Sequence, residues 1–184
     1  MNLKPIKDAQ NIQELIDIVS MGPEGQFRGE TLPSLNLKPD KQKNKKLYTH
    51  QEKCIQQINS SFPDSGIIYL PTGSGKTRIA VELIKNRLNE NPKARVIWAT
   101  FSTSLIRQAM TRLLEQYHLF EKNPRLIWVK NDSFKGSKGR ELFNDNDIVF
   151  ATQENLVKIL SCPQWKHRPI RSYLDKKDAK KEYY

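Results

Sequence analysis

A short glycine-rich stretch between two apolar segments constrains this chain more than any other feature. Residues 71–77 read P-T-G-S-G-K-T, after the apolar run "GIIYL" at residues 66–70 and before an amphipathic segment. Backbone N–H groups in a tight loop at a helix N-terminus hold phosphate oxygens, because the positive end of the helix dipole adds to them. The stretch therefore predicts a strand, a phosphate-binding loop and a helix.

Each position of the loop suits a nucleoside triphosphate. Gly73 and Gly75 let the backbone curl around the β-phosphate, where a side chain would clash or forbid the required dihedral angles. Lys76 supplies a mobile charge to the β and γ oxygens, and the Thr77 hydroxyl is placed to ligate magnesium. The general pattern has glycine where this chain has Leu70. A glycine-rich turn without a ligand is the alternative, and the flanking strand and helix patterns disfavour it.

Strand and helix patterns alternate along the rest of the chain. Strands are predicted at residues 66–70, 95–99, 125–129 and 147–151, and helices at residues 8–20, 51–59, 77–88 and 104–117, with a short helix through Leu156 and Leu160. The strand segments are almost continuously apolar, as central parallel strands are. The pattern predicts an α/β fold in which helices cover both faces of a parallel sheet.

Charge points to a polyanionic partner. The 184 residues carry 31 Lys and Arg against 20 Asp and Glu, a net charge of +11. Such a surface attracts nucleic acid, although a basic surface that is merely solvated is the alternative. Residues 130–140, with Lys130, Lys135, Lys138 and Arg140, form a basic loop that either lies on a phosphate backbone or is solvated.

The sequence gives little indication of a metal site, a redox site or a membrane segment. Cys54 and Cys162 lack the spacing of a redox or zinc site, and the three histidines are scattered. No segment resembles a signal peptide or a membrane span, so we expect a cytoplasmic protein without a membrane partner.

Residues 47–160 resemble the first motor domain of superfamily 2 helicases, the DEAD/DEAH-type ATPases, in the branch that includes restriction-enzyme translocases. The P-T-G-S-G-K-T loop is the helicase version of the motif, and "LYTHQEKCIQQI" is similar to the L-x-P-x-Q segment that precedes it. The resemblance implies a RecA-like P-loop NTPase fold with ATP and magnesium as cofactors. It implies that Gln51 reads adenine, and it assigns the phosphates to Thr72, Gly73, Ser74, Gly75 and Lys76 and the metal to Thr77. Thr49 stands where proline is usual, and an ordinary helix N-terminus capped by Thr49 is the alternative.

Two further segments resemble the family's nucleic-acid motifs. "VIWATFSTSLIRQ" is similar to motif Ia, which implies backbone phosphate contacts by Phe101, Ser102 and Thr103. "DIVFATQENL" matches motif Ic and implies the same role for Thr152. The DEAD-box form P-T-R-E-L-A is absent, so DNA rather than RNA is the expected nucleic acid. The alternative for residues 101–103 is a capped helix and nothing more.

The acids that hydrolysis requires are missing. The family carries a D-E-x-[DH] box after motif Ic, and no Asp-Glu pair occurs in this sequence. Asp132 and Glu154 follow apolar runs but are interpreted as surface acids. No catalytic residue is therefore assigned, and the chain is expected to be a helicase N-terminal portion, truncated before the box and inactive alone, with a second polypeptide as a possible source of the remaining motifs.

The predicted organisation has three parts. Residues 1–46 form an N-terminal helix and basic linker, residues 47–162 a partial RecA-like ATP-binding domain, and residues 163–184 a basic polar tail. Two other functions stay open: a stand-alone basic nucleic-acid-binding module without nucleotide chemistry, and a small P-loop kinase, for which neither a lid nor a base is found.

Overall fold

A three-stranded parallel sheet lies at the centre of the structure. The computed structural model describes residues 6–22, 31–32, 46–61, 66–129 and 145–161. The strands β1 (Val96–Thr100), β2 (Leu126–Trp128) and β3 (Ile148–Thr152) follow the order β1-β3-β2. Both outer strands run parallel to β3, whose Ile148 lies opposite Val96 on one side and Leu126 on the other. The parallel α/β fold predicted from the sequence is confirmed.

Helices connect and flank these strands. The described residues contain α1 (Ile12–Met21), α2 (Thr49–Ser61), α3 (Lys76–Glu90), α4 (Thr103–Glu115) and α5 (Gln153–Ser161). Short 3-10 turns occupy Ile6–Asp8 and Tyr117–Leu119. Among the helices, α4 packs against α1, α3 and the sheet, and α5 contacts β3 and β1. Each helix lies within a few residues of its predicted position.

The sheet is buried on both faces along β2 and β3. Side chains that alternate along the strands, including Phe150 and Trp128, join one core cluster with α1, α3 and α4. The residues between them, Ile127, Val149 and Ala151, are also buried but lie outside that cluster. Two-sided burial explains why these strands are apolar at nearly every position.

The N-terminal helix is tied to α4 by one arginine. Arg107 Nη1 donates to the carbonyl oxygens of Val19, Ser20 and Gly22, at 3.0, 3.2 and 2.7 Å. These carbonyls belong to the last turn and cap of α1, where backbone acceptors have no partner within the helix. A cation at this end also complements the helix dipole. Leu15, Ile18 and Val19 of α1 are buried in the core cluster, so the helix contributes to the core.

An aspartate at the start of β3 joins the neighbouring strands. Asp147 forms ion pairs with Arg95, at 3.1 Å, and with Arg125, at 3.7 Å. Its Oδ2 also accepts from the backbone N–H of Arg125 at 2.8 Å. The carboxylate therefore links the segments that lead into β1 and β2.

The strand predicted at residues 66–70 is wrong. These residues have no strand assignment, and Ile67 and Tyr69 are each 94% exposed. A strand exists only through its ladder with a neighbour, and no described residue supplies one beside this run. The apolar pattern alone did not reveal that the neighbour is lacking.

The segment predicted as a linker contributes to the sheet at one place. Thr31 forms an antiparallel bridge with Ile127, and the Leu32 N–H donates to the Leu126 carbonyl at 2.8 Å. Leu32 is also buried in the core cluster. Residues 31–32 thus cover the outer edge of β2. In the part of the chain described, no helix is long and apolar enough to cross a membrane.

Candidate nucleotide and nucleic-acid site

Two glycines give the loop before α3 its shape. Gly73 has φ of 82° and Gly75 has φ of 84°, both in the left-handed region that side chains disfavour. Open space surrounds the position of a Cβ on Gly73, whereas a Cβ on Gly75 would collide with Nε2 of Gln51. Gly73 is therefore required for its dihedral angle alone, and Gly75 for its dihedral angle and for space.

Two side chains at the start of α2 form hydrogen bonds with the loop. Gln51 is 5% exposed, and its Nε2 donates to the Ser74 carbonyl at 3.1 Å. Its Oε1 accepts from the Tyr48 N–H at 3.1 Å. His50 Nε2 also lies 2.9 Å from the Ser74 carbonyl, to which it donates in the tautomer that carries the proton there. Gln51, the residue expected to read adenine, is thus hydrogen-bonded directly to the loop that is predicted to bind phosphate.

The lysine of the loop is hydrogen-bonded to the residues at which the loop begins. Lys76 Nζ donates to the carbonyl oxygens of Leu70 and Pro71, at 2.9 and 3.0 Å. Lys76 is exposed, so these bonds compete with water and exchange readily. The Pro71 carbonyl also accepts from the Ser74 hydroxyl at 2.8 Å. Thr77 follows in the first turn of α3 and is half-buried.

An aromatic pair beside the loop was not anticipated from the sequence. Tyr48 and His50 stack with their ring centroids 5.9 Å apart and an interplanar angle of 10°. Tyr48 is 72% exposed although it is large and apolar over most of its surface. The signal in the sequence is the pair of aromatic rings at Tyr48 and His50, two positions apart and directly before Gln51.

The predicted nucleic-acid residues meet at the carboxyl edge of the sheet. Thr100 at the end of β1 lies opposite Thr152 at the end of β3. Ser102 caps α4, its Oγ accepting from the Leu105 N–H at 3.4 Å, and Thr103 begins that helix. Thr152 caps α5 in the same manner through the Asn155 N–H, at 3.3 Å. Two helix N-termini with hydroxyl caps therefore lie side by side, which is an arrangement suited to anions.

Phe101 stands out at this edge because it is 86% exposed. An aromatic ring held in solvent between a strand end and a helix start is available for contact with a sugar or a base. The hydroxyl caps also agree with the plainer alternative of capped helices, since each is occupied by a backbone N–H.

Acidic residues are sparse around these features. The described residues contain no group of three or more His, Cys, Asp or Glu side chains that could hold a metal ion. Glu154 is exposed in the first turn of α5. Glu82 of α3 is buried and pairs with Lys85 of the same helix. Asp132, the basic loop at residues 130–140 and the predicted tail at residues 163–184 lie outside the described residues.

The sequence was also compared with known proteins. The family model described as "Type III restriction enzyme, res subunit" matches residues 44–183, which is more than half of the chain. That range contains the loop, both predicted nucleic-acid segments and all three strands. No curated protein and no solved structure matches the chain significantly.

Proposed function

Because the chain belongs to the family of type III restriction enzyme res subunits, we propose that it binds Mg-ATP at the loop of residues 71–77 and DNA at the carboxyl edge of its sheet. The family is a helicase-like one that uses ATP and magnesium and acts on DNA. The finer proposal is that this polypeptide binds both ligands and does not unwind DNA by itself.

The single observation that carries the ATP proposal is the geometry of Gly75. Its φ of 84° disfavours any side chain, and a Cβ there would also force the end of the Gln51 side chain to move. A loop with this curvature, ending at the N-terminus of α3, directs backbone N–H groups toward one point.

Further residues have distinct roles in this proposal. Lys76 would leave the Leu70 and Pro71 carbonyls, which are neutral acceptors, and would hold the charged β and γ oxygens of a bound nucleotide. Thr77 would ligate magnesium, and Thr72, Gly73 and Ser74 would contribute backbone N–H groups, that of Ser74 after leaving the Pro71 carbonyl 3.3 Å away. Magnesium would there neutralise charge on the phosphates.

Gln51 connects the base to the phosphates. One N–H of its amide is bonded to Ser74, and its oxygen has a second lone pair. The second N–H of the amide and the remaining lone pair of its oxygen match the acceptor and the donor on the edge of adenine. The exposed Tyr48 ring, stacked on His50, is a surface on which the base can stack.

DNA is proposed to lie along the edge formed by Phe101, Ser102, Thr103 and Thr152. Contacts of hydroxyl groups and helix N-termini with phosphate carry no sequence information. The net charge of +11 favours such binding. Binding without sequence preference is therefore expected.

Hydrolysis is proposed to need groups that this sequence lacks. No Asp-Glu pair occurs in the 184 residues, and γ-phosphate transfer to water needs an acid for the metal and one for the attacking water. We propose that these acids come from polypeptide outside the 184 residues, and that the protein acts in the cytoplasm.

The test is ATP turnover by the purified chain with and without DNA, for wild type and Lys76→Ala. We expect no turnover above background in any of the four reactions. DNA-stimulated turnover that Lys76→Ala abolishes would overturn the proposed incompleteness. Salt-sensitive DNA binding without any ATP binding would favour the stand-alone nucleic-acid-binding module, for which the net charge is the supporting observation.

A further inference from the structure

One carbonyl group in the loop of residues 71–77 receives two hydrogen bonds from α2. The Ser74 carbonyl oxygen lies 2.9 Å from His50 Nε2 and 3.1 Å from Gln51 Nε2. A carbonyl oxygen can only accept hydrogen bonds, so the His50 nitrogen that faces it carries the proton. The oxygen has two lone pairs, and these two donors use both of them. Both donors come from the first turn of the same helix.

These two bonds fix the direction of the N–H group that follows. No described peptide bond is cis, so the Ser74 carbonyl and the Gly75 N–H, which share one peptide plane, point in opposite directions. Because the carbonyl points toward α2, the N–H points away from α2. Gly75 is the N-cap of α3. N–H groups at a helix N-terminus have no partner within the helix and are suited to hold an anion.

Glycine at position 75 makes this orientation depend on support from outside the loop. Reversing a peptide plane changes ψ of the residue before it and φ of the residue after it. Gly75 has φ of 84°, and glycine adopts positive and negative φ about equally well, so Gly75 itself opposes the reversal little. In the reversed orientation the Ser74 carbonyl, with its partial negative charge, would replace the Gly75 N–H and repel phosphate.

Tyr48 orients both donors. Its ring stacks on the His50 imidazole, and its backbone N–H donates to Gln51 Oε1 at 3.1 Å. His50 is exposed, so replacing it removes the bond to Ser74 without opening a cavity in the hydrophobic core. The contribution of His50 to the loop can therefore be measured in a folded variant.

We propose that His50 is a positioning residue for nucleotide binding. Its Nε2–H, together with the Gln51 amide, holds the Ser74–Gly75 peptide so that the Gly75 N–H faces the phosphates. The inference rests on the proposed binding of Mg-ATP at residues 71–77 and adds a residue from outside that loop. His50 acts through the loop alone, whereas Gln51 is proposed to contact adenine as well. The loss of His50 should therefore matter equally for a ligand that has no base.

Inorganic tripolyphosphate is the probe that separates the loop from the base, because it has a chain of three phosphates and no nucleoside. Titration calorimetry with its magnesium complex and with Mg-ATP compares wild type and three variants. His50→Ala removes the donor, His50→Gln keeps an N–H at a similar reach, and Gln56→Ala changes another exposed residue of α2. We expect His50→Ala to bind both ligands at least about threefold more weakly. His50→Gln should recover most of this loss, and Gln56→Ala should bind like wild type.

The possible results distinguish a failure of this inference from a failure of the proposed function. If wild type binds neither ligand, both are overturned. If wild type binds and His50→Ala binds equally well, or if His50→Gln restores nothing, only the role of His50 is overturned. Weaker binding of Mg-ATP with unchanged binding of tripolyphosphate would also overturn it, because His50 would then act on the nucleoside.

Nuclear magnetic resonance of the ligand-free chain gives a second readout. The ¹⁵N shift of an amide responds to hydrogen bonding at the carbonyl that precedes it, and Ser74 precedes Gly75. His50→Ala should therefore move the Gly75 signal, and His50→Gln should move it less. The Gly73 signal is the internal reference, because the carbonyl before it is that of Thr72. A Gly75 signal that moves no more than that of Gly73 would overturn the proposal.

Discussion

Gln51 Nε2 donates to the Ser74 carbonyl at 3.1 Å and occupies the space that a Cβ on Gly75 would need. The start of α2 therefore packs directly against the loop before α3, although Gln51 and Ser74 are 23 residues apart in the sequence. This relationship distinguishes the two loop glycines and makes their substitutions unequal.

Gly75→Ala is expected to be more harmful than Gly73→Ala. Both place a side chain at positive φ, which costs about 1–2 kcal/mol of folding free energy. Only Gly75→Ala also displaces the Gln51 amide, whose hydrogen bonds contribute about 1 kcal/mol each. Urea unfolding of the two variants measures the difference, and equal loss of stability would contradict the described packing.

A double-mutant cycle isolates the contact itself. In a Gln51→Ala background the obstructing amide is gone, so Gly75→Ala should cost about 1 kcal/mol less than in wild type. Gly73→Ala is the control, because nothing lies within 4 Å of the Cβ it would add. Its cost should be the same in both backgrounds, and a Gly75→Ala cost that is also unchanged would argue against the contact.

Arg107→Ala should destabilise the chain by about 2 kcal/mol, because three carbonyl oxygens at the end of α1 lose a charged donor. The matched control is Arg112→Ala on the same helix. Arg112 pairs with Glu115 at an exposed site, so its loss should change stability by no more than about 0.5 kcal/mol. Thermal unfolding compares the two, and equal effects would mean that α1 is not anchored through Arg107.

Alkaline pH should destabilise the fold through Tyr117. Burial, and to a lesser degree the nearby Asp147 charge, raises the pKa of Tyr117 far above its ordinary 10.0. Its hydroxyl donates to the Pro124 carbonyl. The folded state keeps the phenol neutral while the unfolded state ionises, so this contribution is complete below pH 10 and is lost as the pH rises beyond it.

The measurement is the free energy of unfolding at pH 9 and pH 11 for wild type and Tyr117→Phe. The wild type should lose about 1 kcal/mol more than the variant between the two values, since one pKa unit corresponds to about 1.4 kcal/mol. Identical losses would show that Tyr117 ionises equally in both states.

Phe101→Ala should weaken DNA binding equally for unrelated sequences. The ring is 86% exposed, so its removal should leave stability nearly unchanged while it deletes a contact with the strand, worth about 1 kcal/mol or more if a base stacks on it. Met21→Ala is the control, because Met21 is 63% exposed and is not one of the residues assigned to the proposed edge. Fluorescence anisotropy with two oligonucleotides of unrelated sequence measures the DNA affinities. Equal affinities of Phe101→Ala and Met21→Ala would contradict the proposal that Phe101 contacts DNA.

Local pattern predicted much of this fold. The runs that became β1, β2 and β3 are apolar at nearly every position because they are buried on both faces, and periodicity placed the helices. The loop was predicted because Gly73 and Gly75 meet a local need, a positive φ that the sequence itself reveals.

Contacts between distant residues were beyond such reasoning. Arg107 binds carbonyls 85 to 88 residues away, and Thr31 bridges to Ile127 from within a segment that has no periodicity. The strand predicted at residues 66–70 is wrong for the same reason. A strand depends on a neighbouring strand, and the composition of a segment does not show whether that neighbour is present. The burial of Gln51 against Ser74 likewise became visible only when two segments were brought together.

Equilibrium binding of Mg-ATP to the purified chain tests the central claim most directly. Titration calorimetry of wild type, Lys76→Ala and, as a matched control, Lys53→Ala on α2 would compare their affinities. Binding by wild type and Lys53→Ala, weakened at least about tenfold in Lys76→Ala, is the predicted result. No binding by the folded wild type, or equal binding by Lys76→Ala, would contradict it.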